Sequence, residues 1–474
     1  MEFQTVSHAC MAVRHGGVEL LIDPWLVGSC YWRSWWNYPE PPAEVLAQLK
    51  PDFIYLTHLH WDHFHGPSLR RFAPHTKMLV PKLPTTRRMV EDLEWLGFRD
   101  VTELAHGESL ELGGGLQVTS FQSGIGADSM LAITDGRTTI LDANDCKMFG
   151  SSLDQVARRF PKIDFVLRSH SSASPVPYCV DSYPQRFADV RSKQDYAEEF
   201  ARFAFTLRAR YAIPFASNHC YLHRDTIRYN DLATDPQLVH DLTNREAARL
   251  GVETRSVLMA AGSKWSDSGG FEIVPFDYSR RDEYLQGLLA KHHDKLESCY
   301  REEATIEPDA EACVSYFEAL FADLPPRTLV RMALDFQILI EVHGASTRRF
   351  LLDFGKRQLV LDAEPSERMV TIRVPARVFN DCCKQRMFST WSASKRLSVH
   401  VPPSLDLSAL GRFLTLLDLH ELGQLPIRNN LQARALWQRL LRWREVIDFG
   451  SYVWQSRTRQ GFRISDLYPM RRTS

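Results

Sequence analysis

The stretch THLHWDHFHG, residues 57–66, sets His58, His60, Asp62, His63 and His65 directly behind the short apolar run DFIYL, residues 52–56. DFIYL reads as a buried strand and Pro67 as the opening of a helix, so the histidines fall on the loop at a strand's C-terminal end. Layered α/β proteins place their sites there. In the spacing HxHxDH the side chains of His58 and His60 converge on one point while Asp62 turns to the other side. That arrangement serves two adjacent metals, His58 and His60 for the first, Asp62 and His63 for the second. His65 falls outside the spacing. A merely solvated histidine-rich loop would not need this spacing behind an apolar strand.

Outward from the loop, the chain alternates strands and helices. A hairpin runs from Val6 to Ile22, turns at Gly16-Gly17 and stops at Asp23-Pro24. A second, SMLAITDGRTTILDAND (129–145), turns on Asp135-Gly136. IDFVLRSH (163–170) is another buried strand with a polar end, and a charged helix follows near 192–209. Beyond residue 300 the texture changes, with the helix EACVSYFEALFADL, a break at Pro325-Pro326, and then strands such as FQILIEVHG. A boundary near 290–305 is expected, dividing the chain into 1–295 and an α+β unit over 305–474.

A length of 474 residues, 44% hydrophobic and 24% charged, is that of a core-forming protein with more than one folded unit. The formal net charge of -1 argues against nucleic acid or an anionic membrane as partner. No apolar run reaches the length of a membrane helix, and the start, MEFQTVSHAC, lacks a signal-peptide layout. A cytoplasmic protein acting on a small molecule is expected. The nine cysteines are scattered and read as reduced thiols. Cys220 and His223 form a CxxH, but no CxH precedes it at the distance a Rieske cluster requires.

HLHWDH behind an apolar strand, with LLIDPWL (20–26) before it and LDAND (141–145) after it, resembles the metallo-β-lactamase superfamily over about residues 1–235. The resemblance implies an αββα sandwich with a binuclear site at one sheet edge. It matches the family's bridging carboxylate to Asp145, with Asp142 as the alternative if the strand ends three residues earlier. Asp23 matches an aspartate that orients ligands, although an Asp-Pro turn alone also accounts for it. The family's third histidine has no counterpart, because FQSGIGADSM (121–130) contains none. Asp128 is the strong donor of that loop and is assigned to the first metal. A carboxylate in place of an imidazole adds charge and hard oxygen donation, which favours iron over zinc.

Four further stretches, DPWLVGSCYWRSWW, GADSMLAITDGRTTILDANDC, SSASPVPYC, and PFASNHCYLH with YND beyond it, are similar to the metallo-β-lactamase-like portion of CMP-N-acetylneuraminate hydroxylase and its bacterial relatives. This resemblance implies His223 as seventh ligand, with His219 and His170 as competitors. It also implies an oxygenase with two irons and dioxygen as co-substrate, acting on a small organic or sugar-nucleotide-like molecule. The hydroxylase family carries its own Rieske domain, so if this is an oxygenase its electrons are expected from a separate donor or from the substrate itself. Asp62 and Asp145 are the catalytic candidates. The alternative is a zinc-dependent hydrolase of a phosphoester, amide or lactone, with Asp62 handling the proton.

Tyr31, Trp32, Trp35 and Trp36 suggest an aromatic substrate wall, against the plainer reading that they pack their loop onto the sheet. Arg33, His8, Arg168 and Lys147 are candidates to hold an anionic group, or are ordinary surface and core residues. The strands of the C-terminal part look faintly like a sterol-carrier-type module.

Overall fold

In the strand Val18–Ile22, Leu20 and Ile22 face one way and Leu21 the other, and all three are fully buried. A strand buried on both faces needs a layer on each side. Leu20 and Ile22 join a core with Val118, Ile133, Ile140 and Leu167 of a second sheet, whereas Leu21 joins Val45, Leu69, Met89 and Leu93 of covering helices. The second sheet repeats the logic, its outer residues Leu141, Val166 and Ala212 packing on helix residues Val156, Phe200 and Leu242. The result is a four-layer αββα sandwich, the metallo-β-lactamase fold.

The computed structural model describes residues 1–123, 128–183, 185, 192–328, 330, 334–458 and 462–468. The first sheet has eight strands. At its centre Glu2–Thr5, Met11–His15 and Val18–Ile22 run antiparallel, and Phe53–Tyr55, Lys77–Pro81 and Val101–Leu104 continue parallel to Val18–Ile22. The second has seven, with Thr139–Asn144, Phe165–Ser169 and Tyr211–Phe215 parallel. The C-terminal ends of these parallel strands deliver the histidine loop, Asp145 and His170.

The helix Arg281–Glu303 occupies the expected boundary and leads into a five-stranded sheet containing Gln337–His343 and Val370–Pro375. This second unit shares its core with the first: Trp25, Tyr31 and Trp35 pack in one cluster with Phe317, Ile340, Phe379 and Trp391. After the helix Leu407–Glu421 the chain returns to the sandwich, where Asp448 accepts hydrogen bonds from the Ser151 backbone at 2.7 Å and its hydroxyl at 2.5 Å. Tyr468 ends fully buried among the helices over the second sheet. Its hydroxyl accepts from Arg168 at 3.1 Å.

Candidate metal centre

Asp23 is the hub from which the site is built. Its Oδ1 accepts from the Thr57 backbone at 2.8 Å, and its Oδ2 accepts from Thr57 Oγ1 at 2.6 Å, Asn144 Nδ2 at 2.7 Å and His63 Nδ1 at 2.7 Å. Asp23 and Asn144 adopt left-handed φ values of 43° and 47°, a strain that concentrates at functional sites. With Nδ1 donating to Asp23, His63 turns Nε2 toward Asp62 and Asp145; burial acts downward on the ring, but Asp62 and Asp23 push its pKa well up, so Nε2 carries a proton that ligation would displace. Thr57 has spent its proton on Asp23, so its oxygen accepts from His58 Nδ1 at 3.0 Å, and His58 likewise presents Nε2. The ordering of two imidazoles thus traces to one buried carboxylate.

His63 Nε2 lies 3.3 Å from Asp145 Oδ2 and 3.2 Å from Asp62 Oδ2. His58 Nε2 and His60 Nδ1 stand 2.9 Å apart. Two groups, His58 with His63 and Asp145, and His8 with Asp62 and His63, each gather donor atoms within 4.8 Å. Burial pushes His58 and His60 down to about 4, keeping both imidazoles neutral and able to ligate. For Asp62, burial acts upward, but His63 and the hydrogen bonds from His63 and His8 hold it well below the usual carboxylate range. Its remaining anchor is Tyr31, whose hydroxyl donates to Oδ1. Ordered neutral imidazoles facing ionised carboxylates fit a metal centre.

Asp128 faces the same cavity as His58 and His60, and burial raises its pKa, opposed by His60. Asp142, the alternative to Asp145, lies fully buried inside the sandwich; burial and then Asp23 push it well above the carboxylate range. His65 is buried and paired with Ser68 at 2.7 Å, away from the cluster.

His223 is not brought to this site. Its ring sits against Glu303 at 3.5 Å, Asp225 at 3.4 Å and the Tyr300 ring, in a separate buried knot completed by Arg396. The strand His219–Tyr221 pairs with Trp35–Asn37 and carries the chain away before residue 223. The competitors lie nearer. His170 is fully buried, its Nε2 without a hydrogen-bond partner among the described residues, and it feels His8 and Asp145. His219 stacks on Trp35 at 3.6 Å, in edge contact with His8. His8 itself, read from sequence as an anion holder, places Nε2 3.0 Å from Asp62. A histidine in a turn between strands gives no pattern that would have revealed this.

The expected aromatic wall is mostly core. Trp35 and Trp36 are buried, Trp36 stacking on His292 at 4.0 Å. Trp32 donates to Asp381 of the second unit at 2.7 Å, and Tyr31 serves Asp62. None of the four lines the cavity of about 630 Å³ that opens beside His58, His60 and Asp128, whereas Tyr31 and Trp32 line another of about 890 Å³ with Leu59 and Trp61. That cavity is walled instead by Met387, Leu414 and Asp418 of the second unit and by Phe449, Tyr452 and Leu467 of the returning tail. Arg168, also an anion candidate, is buried against Glu199 at 2.8 Å.

Residues 19–168 match the profile of the beta-lactamase superfamily domain. Over 249 residues the chain is 27% identical to the "Putative Rieske 2Fe-2S iron-sulfur protein" of Mycobacterium tuberculosis (strain ATCC 25618 / H37Rv), covering 50% of this chain and 47% of that one. The chain therefore spans about half the length of this relative. Over 69 residues it is 42% identical to the cytidine monophosphate-N-acetylneuraminic acid hydroxylase of Pan troglodytes, 14% of this chain and 12% of that one. Among solved structures, CmlA, a diiron beta-hydroxylase from Streptomyces venezuelae, aligns at 21% identity with a TM-score of 0.38, covering 54% of this chain and 52% of that one. An isothiocyanate hydrolase from Delia radicum gut bacteria aligns at 17% identity and 0.38, covering 56% of this chain and 98% of that one. With its αββα layers and a histidine loop at the strand ends, the N-terminal unit of this chain has the metallo-β-lactamase fold, and its match to the beta-lactamase superfamily domain runs over residues 19–168.

Proposed function

We propose that the chain is a binuclear metal-dependent oxygenase, with iron as its metal, hydroxylating a small organic substrate in the cavity beside His58 and His60. The observation that carries this reading is the donor set: Asp62, Asp128 and Asp145 alongside His58, His60 and His63, with Asp128 on the cavity wall where hydrolytic relatives are expected to carry an imidazole. Carboxylate-rich sites suit iron, and two irons held there would supply the redox chemistry that activates dioxygen. The hydroxylase relatives, matched over 69 residues, support the same reading.

In this proposal His58, His60 and Asp128 would hold one ion and Asp62 and His63 the other, with Asp145 and either His170 or His219 as further ligands. Asp23 fixes both ring tautomers. Tyr31 and His8 hold Asp62 in place and keep a proton at the Tyr31 hydroxyl. The largely apolar wall from the second unit and tail excludes water from the reacting end of the substrate. Hydroxylation of a C–H bond by dioxygen sends one oxygen atom to water and consumes two protons and two electrons, the electrons coming from a reductant.

The second reading, a zinc hydrolase, is favoured by the neutral His58 and His60, which would equally serve a hydroxide-generating site. Metal quantification on protein purified without oxygen, with optical spectra before and after oxygen is admitted, separates the two. Two irons and an oxygen-dependent absorption band are expected. Stoichiometric zinc with phosphodiesterase or esterase turnover would overturn the proposal. Asp128→His tests the ligand argument directly: iron content falls if Asp128 ligates and is unchanged if it does not.

A further inference from the structure

The helices Ala433–Leu441 and Trp443–Thr458 present an apolar face to solvent. Trp437, Leu440, Leu441, Trp443, Val446 and Ile447 are each between 53% and 66% exposed. Of eighteen exposed large hydrophobic residues among those described, eleven fall between 427 and 454. Patches of this density on a folded surface mark an interaction site.

Charge identifies what covers the face. Residues 427–458 contain six arginines against two carboxylates, an excess that the chain's overall net charge conceals. Both carboxylates are committed inward: Glu445 pairs with Arg442 at 2.6 Å, and Asp448 is held by Ser151. Arg428, Arg439 and Arg444 are exposed around the apolar residues, Arg444 lying over the Trp443 ring at 5.5 Å. Tryptophan and leucine on one face with arginine at its margins is the composition of a helix that lies in a membrane interface. A second copy of the same face would set arginine against arginine, whereas an anionic lipid surface neutralises them.

We propose that this helix pair is an interfacial docking surface for an anionic lipid bilayer, the apolar residues entering the headgroup boundary and the arginines meeting lipid phosphates. The proposal does not rest on the metal or on the oxygenase reading. It does place the cavity beside the membrane, because Phe449 and Tyr452 on the same helix wall that cavity.

The test is co-sedimentation of the full chain with large unilamellar vesicles of phosphatidylcholine, alone or with about a third phosphatidylglycerol, together with tryptophan emission and its quenching by brominated lipid. Binding to the anionic vesicles is expected, with a blue shift and quenching, at an affinity at least roughly tenfold above that for the neutral ones. Arg439→Glu with Arg444→Glu should remove that preference. Trp437→Ser with Leu440→Ser and Ile447→Ser should abolish binding while circular dichroism stays unchanged. Wild-type protein that stays in the supernatant with both vesicle types, its emission unshifted, overturns the proposal. If the same triple variant then converts a dimer to a monomer, the face belongs to a second copy.

Discussion

His63 Nδ1 lies 2.7 Å from Asp23 Oδ2, and this contact, with the Asp23–Thr57–His58 relay beside it, decides which nitrogen each ring offers to the cavity. Asp23→Ala is expected to lower metal affinity by about ten- to a hundredfold, the usual cost of losing a partner behind a ligand. Competition against a chromogenic chelator measures it. A fold intact by circular dichroism with unchanged affinity would show that the rings are oriented by something else.

The histidines ahead of and behind the ribbon Trp35–Asn37 with His219–Tyr221 are predicted to separate. His170→Ala should reduce bound metal, since its Nε2 is buried at the strand end and unpaired among the described residues. His223→Ala should leave metal content unchanged and lower the melting temperature through the Glu303 knot. Metal analysis and thermal denaturation on both variants give the answer.

Arg396 is 1% exposed and meets Asp225 at 2.8 Å and Glu303 at 2.6 Å. Removing it leaves carboxylates behind, so Arg396→Met is expected to cost about 3–5 kcal/mol. Burial acts upward on Glu303, yet His223 and Arg396 hold it well below the carboxylate range. A depressed folded pKa gives stability that is present above the unfolded value and lost as pH falls. The wild type should therefore lose stability on acidification more steeply than Glu303→Gln.

Glu421 behaves in the opposite sense. Burial raises it to about 8, against hydrogen bonds from the backbones of Phe388 and Ser389. A raised folded pKa gives stability that is complete below the unfolded value and lost as pH climbs through about 8. Melting temperature should fall between pH 5 and 8 by a few degrees more, roughly 2–4 °C per kcal/mol, in wild type than in Glu421→Gln.

Tyr468 is fully buried and bonded to Arg168. Tyr468→Ala is expected to cost about 3–5 kcal/mol as an aromatic truncation. It should also make the tail beyond residue 430 the first site of limited proteolysis, read by mass spectrometry.

How far the sequence could be read follows the range of the interactions. DFIYL and HxHxDH are local, and they are legible because strand period and ligand spacing are short-range facts. Asp145 over Asp142 turned on three residues of register: Thr139–Asn144 runs on through an irregularity after Asp142, leaving that residue inside the sandwich. His223 misled because its distance along the chain from PFAS says nothing of the ribbon that diverts it. The aromatic stretch looked like a pocket wall because Trp and Tyr serve cores and pockets alike, and its partners Phe317 and Trp391 lie about three hundred residues away. The returning tail left no trace in any local period.

The walls of the cavity enter the chain at very different times. His58, His60 and Asp128 are all made within the first 128 residues, whereas Phe449, Tyr452 and Leu467 come some three hundred residues later. At about 5–20 residues per second, the candidate ligands precede their lid by roughly 15–60 s of synthesis. The donor side of the cavity is thus on the chain well before its opposite wall, of which Tyr468 is the last residue to be made.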